Sequence, residues 1–449
     1  MFTNVNIVPM TSDQVVYHQN VLIEDDEIIA IGDQDRLRVP NHTKVINGEG
    51  LYLLPGLADM HMHTRLDWEE PQIWPVHPLS LYLANGVTTV RDFSPTGEPI
   101  DYALEWQKEI DSGLRDGPRI ITSGRLLYAS PLLEAEKLVR QNMEMGFDFL
   151  KVYSYLSRED FATVLDCAEE LDFYASGHVP YAIGLDQALS AGMDEIAHVE
   201  ELIYEFFSLD RNQDLTPSEW QEYIIETAML QVDIDSETLV EGFKEKNETK
   251  LDQISNQLHA AHVPVCTTMV LDESIYLKLI KADEFLQRPE NKYFEHGYLE
   301  LFMEGREKHQ IQCKGIEGLC QFKYEIDKWI LQSLHQNGVV LLLGTDSGTG
   351  GMGIIPGFSI HDELQILIKN GFSAYEALST GTVNAAQVVK DMGREGNFGT
   401  IEVGNIADMI LVKENPLENI STIRAPLGVM AAGRWYSIAD LNKMIEIRK

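Results

Sequence analysis

Two histidines one residue apart, His61 and His63, lie in the run Leu57-Ala58-Asp59-Met60-His61-Met62-His63. The run follows the chain-turning pair Pro55-Gly56, and its apolar character predicts a short buried strand. On a strand, residues i and i+2 point to one face, so the two imidazoles converge on one point. Imidazole is the commonest metal ligand, and two converging at a strand end form half of a transition-metal site. The same spacing also occurs in polar surface or core residues, so the pair acquires meaning only from further ligands elsewhere.

Such candidates stand at the ends of other short apolar runs. Phe149-Leu150-Lys151-Val152-Tyr153 places Lys151 inside a strand-like stretch. Tyr174-Ala175-Ser176-Gly177-His178 and Asp194-Glu195-Ile196-Ala197-His198 both end on histidine, and the run 339–346 ends on Asp346. Each has a plainer reading as a hydrogen-bonded histidine, a helix-capping aspartate or a solvated lysine. For the metal reading to fail, most of those plainer readings must hold at once.

The elements that must position these groups are read from periodicity. Apolar runs at 57–63, 87–91, 119–122, 149–153, 174–178, 195–198, 263–269 and 339–346 predict eight strands. Helical stretches separate them, for example 134–145 and 158–171. The alternation predicts an α/β fold with parallel strands, and eight units fit a (β/α)₈ TIM-type barrel. The active site of such a barrel lies at the C-terminal strand ends, where the candidate ligands fall. The first fifty or so residues and the stretch 399–437 read as short strands, with a hairpin around Glu24-Asp25-Asp26. One small β-domain built from 1–56 and 399–449, around a barrel at 57–398, is therefore expected. The interval from about 201 to 252 exceeds a normal connection and predicts a helical insertion near the barrel mouth. Within it, Asp210, Asn212 and Asp214 have the spacing of a calcium loop. Leu215 stands where that loop needs glycine and Gln221 where it needs glutamate, so calcium is rejected there.

With 449 residues and 44% hydrophobic content, the chain can bury a large core and carry a smaller second domain. Seventy-one acidic against 35 basic residues give a formal charge of −36, which disfavours nucleic acid and anionic membranes as partners. Cys167, Cys266, Cys313 and Cys320 are scattered and suit a reducing compartment. Neither a secretory signal nor an apolar segment near the ~20 residues of a membrane span is evident. A soluble, cytoplasmic protein is expected.

The ordered set His-x-His, Lys, His, His, Asp on successive strand ends resembles the amidohydrolase superfamily of metal-dependent hydrolases. The flanking phrases are similar to its imidazolonepropionase-like and prolidase-like branch. They are Pro55-Gly56-Leu57 before the paired histidines and Gly86-Val87-Thr88-Thr89-Val90-Arg91-Asp92 after them. Further on come Gly344-Thr345-Asp346-Ser347-Gly348, Pro356-Gly357 with His361-Asp362-Glu363-Leu364, and Ala407-Asp408. The resemblance spans nearly the whole chain and is weakest at about 202–250.

The resemblance implies a β-sandwich for the terminal strands and a binuclear centre in the barrel. His61, His63 and Asp346 would hold one divalent ion, and His178 and His198 a second. Lys151, carboxylated by CO₂, would bridge them, since a free ammonium has no lone pair to offer. Zinc is the expected metal, with manganese or cobalt able to replace it. The implied reaction cleaves a C–N amide or peptide bond in a small substrate: a dipeptide, an N-acyl amino acid or a cyclic amide. A metal-bridging hydroxide would attack, and Asp346 would move its proton to the leaving amine.

Tyr153, two residues beyond Lys151, faces the same way and offers its hydroxyl to the oxyanion or the substrate, or else packs inside the barrel. Arg65 and His361 follow the first and last strands, where substrate contacts belong. Arg65 would pair with a substrate carboxylate or form a surface salt bridge, and His361 would touch substrate or pack the final helix. Two other readings stand beside the amide hydrolase. One is a mononuclear deaminase of the same fold, without need of Lys151. The other is a non-catalytic scaffold, which would be expected to lack ligands that this chain retains. A small-molecule substrate is the expected partner, with a homo-oligomer left open.

Overall fold

A single glycine separates two sheets. Tyr52–Pro55 belongs to the first and Leu57–Met62 to the second, with Gly56 between them. A Cβ at Gly56 would lie 2.1 Å from the Thr88 hydroxyl oxygen, so only glycine lets the chain pass. This arrangement comes from a computed structural model, which describes residues 1–33, 35–93, 101–233, 236 and 238–447.

The first sheet is built from both chain ends. Its strand order is Arg434–Ser437, Gly428–Ala431, Met409–Val412, Tyr52–Pro55, Phe2–Ile7, Val16–Glu24 and Glu27–Asp33, with Ile46–Asn47 also on Phe2–Ile7. The expected hairpin is present: Glu24 pairs with Glu27, and Asp25 turns the chain at φ 53°. Phe2, Val5, Val21, Leu53, Met409 and Leu411 fill one shared core, which joins the two chain ends. The pairings form one continuous mixed sheet rather than two separately bonded layers.

The second region is parallel throughout. Leu57–Met62, Val87–Asp92 and Arg119–Thr122 form one arc. Leu127–Ala129, Leu150–Tyr155, Ala175–Gly177, Glu195–Ile196, Val265–Cys266 and Leu341–Leu342 form another. Backbone contacts cross both seams between the arcs. Met60 N–H donates to Leu343 O at 2.7 Å on one side, and Ser123 bridges Phe149 on the other. All six residues of Leu57–Met62 are buried, as parallel strands covered on both faces require. Helix Arg158–Leu171 has the expected bounds, with the Ser157 hydroxyl accepting from Asp160 N–H at its start. The helix expected at 134–145 begins one residue later, because Glu134 adopts a left-handed conformation.

The inserted region expected at about 201–252 forms the 3₁₀ turn Val199–Phe206 and helices Pro217–Gln231 and Leu239–Ala261. A further elaboration, between the last two parallel strands, was not anticipated. Helix Met269–Ile280 and the short helices Ala282–Leu286, Tyr298–Met303 and Lys308–Gln312 precede the long helix Glu317–Gln336. Elements of five or six residues are too short for periodicity to mark them. Among the described residues, no helix is long and apolar enough to cross a membrane.

Inside the parallel strands lies a fully buried ion pair. Arg91 Nη1 donates to Glu195 Oε2 at 2.7 Å, and Nη2 donates to Oε1. Arg91 Nε donates to Met60 O at 2.8 Å, and the Tyr174 hydroxyl donates to Glu195 at 3.1 Å. Removing one partner of such a pair leaves an uncompensated buried charge and costs about 3–5 kcal/mol. Arg91→Met is therefore expected to lower the urea-unfolding midpoint strongly, and adding Glu195→Gln should recover part of the loss. An unchanged midpoint for Arg91→Met would show that the pair does not hold the strands.

Candidate metal centre

The end of Leu57–Met62 and the segment after Leu341–Leu342 run side by side. His61 O accepts from both Thr345 N–H and Asp346 N–H, at 3.1 and 2.7 Å. Asp346 has φ 58°, a left-handed conformation that aspartate tolerates better than most residues. Gly348, at φ +91°, sits so close that a Cβ would meet His63 O at 1.7 Å. This turn brings Asp346 Oδ1 to 3.0 Å from His63 Nε2 and 3.6 Å from His61 Nε2. One donor atom from each of His61, His63 and Asp346 lies within 4.8 Å of the others, close enough to hold one ion.

The remaining candidates adjoin this cluster. The His198 ring lies 4.3 Å from that of His61 and 4.8 Å from that of His178. Lys151 is 1% exposed, and its amine has no hydrogen-bond partner among the described residues. It sits 4.4 Å above the Phe93 ring, which itself stacks on His61 at 3.9 Å. The residues expected to act together, His61, His63, Lys151, His178, His198 and Asp346, are thus assembled at one end of the parallel strands.

Three of the histidines are tethered through Nδ1. His61 Nδ1 faces Ala197 O at 3.2 Å, His178 Nδ1 faces Glu201 Oε1 at 2.5 Å, and His198 Nδ1 faces Thr268 Oγ1 at 2.9 Å. An outer partner on one ring nitrogen fixes the ring and leaves the other nitrogen for a metal. His61 Nε2 is buried and has no hydrogen-bond partner among the described residues. The donor set of imidazole nitrogens and a carboxylate fits zinc or a related divalent ion.

Burial dominates the electrostatics here. It holds His61, His178 and His198 well below the usual histidine range, and the amine of Lys151 adds to the effect at His61 and His178. Unprotonated imidazoles are the form that coordinates metal. Burial also lowers Lys151 to about 8. At Asp346 burial acts upward, but the hydrogen bond and charge of His63, with His198 and Lys151, outweigh it and keep the carboxyl below its ordinary value.

Tyr153 follows Lys151 on the same strand, with its ring 4.2 Å from that of His178 and 5.9 Å from the Lys151 amine. It also contacts Tyr128 and Tyr155, so it borders the site and packs in an aromatic cluster at once. The other two expected substrate contacts each meet protein groups. Arg65 is engaged by Asp67 through Nε at 3.0 Å and through Nη2, and by Glu295 at 3.4 Å, as in the salt-bridge alternative. His361 lies within helix Ser359–Lys369, 4% exposed, beside Leu364, Ile420 and Arg424. Burial and the Arg424 charge push it down to about 3.

Sequence reasoning overlooked Glu201, Thr268, Phe93 and Asp59. Glu201 is 3% exposed and also accepts from Val179 N–H at 3.2 Å. Burial and then Glu200 push it up to about 8. Its position three residues after His198 was the only available signal, because its partner, His178, is 23 residues away.

Residues 329–436 match the family model described as amidohydrolase family. Among solved structures, a Xaa-Pro dipeptidase with bound methionine in the active site superposes with a TM-score of 0.65 at 18% identity, covering 97% of this chain and 99% of that one. Bottromycin amidohydrolase gives 0.67 at 19% identity, covering 99% and 88%. At these identities the likeness is one of fold. Over 73 residues the chain is 33% identical to adenine deaminase 2 of Shouchella clausii (strain KSM-K16), a stretch of 16% of this chain and 12% of that protein.

The tether on His178 is open to direct test. Glu201→Gln keeps size but removes the carboxylate that orients the ring, and such changes cost about 10–100-fold in metal affinity. Competition with a chromophoric zinc chelator should show a loss of that order. Unaltered affinity would mean that Glu201 does not orient His178.

Proposed function

We propose that this chain, a member of the amidohydrolase superfamily, is a metal-dependent hydrolase that cleaves a C–N amide or peptide bond in a small substrate. Dipeptides, N-acyl amino acids and cyclic amides are the substrate classes, in keeping with the prolidase-like branch it resembles. The observation that carries the reading is the common orientation of His61, His178 and His198. Each commits Nδ1 to a protein partner, which leaves Nε2 for a metal, and their rings adjoin the His61, His63 and Asp346 cluster. We read the two parallel arcs as one closed (β/α)₈ barrel opening at this end, with the terminal sheet as the superfamily's β-sandwich. Four free thiols keep the cytoplasm as the expected compartment.

In this reading His61, His63 and Asp346 would hold one divalent ion, His178 and His198 would hold a second, and Lys151 would serve both as a carbamate. The ammonium first loses a proton, which a lysine lowered to about 8 favours; the amine then forms an N–C bond to CO₂ and releases a second proton to solvent. When bound, two zinc ions supply Lewis acidity and lower the pKa of water to about 7. Asp346, held ionised by its neighbours, accepts a proton and delivers it to the leaving nitrogen. Tyr153 has its hydroxyl held well above the ordinary tyrosine value, chiefly by burial, and so remains a donor for the developing oxyanion.

A deaminase is the second reading. It draws on the segment resembling adenine deaminase 2 and on the compact cluster of His61, His63 and Asp346, which suffices for one ion. Stoichiometry separates the two. Protein grown with zinc and bicarbonate is expected to carry close to two ions per chain by elemental analysis and to hydrolyse members of a dipeptide and N-acyl-amino-acid panel. Lys151→Ala should lose the second ion and most turnover. A single ion in both proteins, with release of ammonia from an aminopurine, would favour the deaminase.

Asp346→Asn should pack as before, because the side chains nearly match in size, but asparagine takes no proton at neutral pH. General acid–base catalysis contributes about 10²–10⁴-fold, so kcat at saturating zinc should fall by that order. Parental turnover in a variant that keeps its metals would remove Asp346 from the proton path.

A further inference from the structure

The segment after Asp346 is rich in glycine, and Gly348, Gly351 and Gly353 all have positive φ. Such a stretch has wide conformational freedom unless something outside it fixes the path. The unanticipated elaboration between the last two parallel strands does so. Lys278 Nζ donates to Gly351 O at 3.2 Å and Met352 O at 3.1 Å. Ser274 Oγ also donates to Met352 O, at 2.8 Å, and Arg288 Nη2 to Gly353 O at 2.9 Å. Three consecutive carbonyls are thus taken by donors from 274–288. Lys278 is itself fixed: its side chain is fully buried, with Glu307 Oε1 at 2.9 Å and His309 Nδ1 at 2.6 Å. At the near end of the same loop, the Thr349 hydroxyl donates to Asp346 Oδ1 at 3.2 Å. That is the oxygen which faces His61 and His63.

We infer that Lys278 is a positioning residue for Asp346: by pinning the carbonyls of Gly351 and Met352 it holds Thr349 where its hydroxyl orients the carboxylate. The inference rests on Asp346 as the proton carrier of the proposed hydrolase. Neither Lys278 nor Glu307 touches the ligand cluster, so their effect must travel through the loop.

A double-mutant cycle tests this, because residues acting through one another are not additive. The first arm is Lys278→Met with Glu307→Gln, which removes the buried pair without leaving a bare charge. The second arm is Thr349→Val, and the third combines them. Small misplacements remote from chemistry cost up to about 10²-fold in rate. Each arm is expected to lower kcat by about tenfold with KM changed less than about twofold, and the combination should be no worse than the poorer arm. In cobalt(II)-loaded protein, which needs no substrate, all three should shift the visible absorption in the same way. Multiplying effects, or wild-type kcat and cobalt spectrum in the first arm, would overturn the inference. If the first arm does not fold, Ser274→Ala, which removes one donor to Met352 O, takes its place in the cycle under the same criteria. If no protein turns over any amide, wild type included, the hydrolase reading fails and the cobalt cycle alone decides this one.

Discussion

A buried carboxylate, Asp59, ties the first parallel strand to the last. Its Oδ1 accepts from His61 N–H at 3.3 Å and Thr345 N–H at 3.1 Å, and its Oδ2 accepts from the Thr345 hydroxyl at 2.6 Å. On one side of this knot the chain continues to His61 and His63, and on the other to Asp346. Strand side chains alternate between faces, so a slip of one residue at this seam would turn the ligands away from each other. Burial pushes Asp59 up to about 7, while the bonds from Thr345 and His61 act to keep it ionised. The three-donor cluster therefore depends on a residue that touches no ligand atom of its own site.

The interior beneath the ligands is layered, and each layer limits the next. At the base the Arg91–Glu195 pair neutralises itself. Above it Phe93 and Phe149 pack edge to face at 4.9 Å, with the guanidinium 4.7 Å from the Phe93 ring. His61 stacks on Phe93 with an interplanar angle of 7°, and the Lys151 amine sits over the same ring. The apolar layer strips water from the ligands, so desolvation outweighs every other influence on His61, His178 and His198. Neutral rings with tethered Nδ1 atoms follow from packing as much as from chemistry.

Much of this was legible before the fold was known. His63, His178, His198 and Asp346 each close a short apolar run, with His61 and Lys151 inside such runs, and the ends of such runs share one rim of a parallel sheet. The eight strand runs and the two strand-rich ends were likewise visible as local pattern. Glu201, Thr268 and Lys278 were hidden because their roles depend on contacts across 23, 70 and 29 residues of chain with no local signature. Of the two Arg65 partners, Asp67 is two residues away and open to sequence reading, whereas Glu295 lies 230 residues away in the elaboration and is not.

The strongest internal contrast concerns lysine. Burying an ammonium is costly unless it is paired, and Lys278 and Lys323 obey that rule. Lys278 faces Glu307, and Lys323 lies 2.7 Å from each of Glu200, Asp272 and Asp327. Lys151 is as deeply buried as Lys278 yet has no hydrogen-bond partner among the described residues. The Phe93 ring and the more distant charges of Asp346 and Glu201 favour it as a cation, but burial outweighs them. As a carbamate the same side chain would change by two units of charge, from +1 to −1, and would bring oxygen atoms to the two ligand sets. Under the proposed function, a carbamate would turn this costly buried ammonium into a ligand.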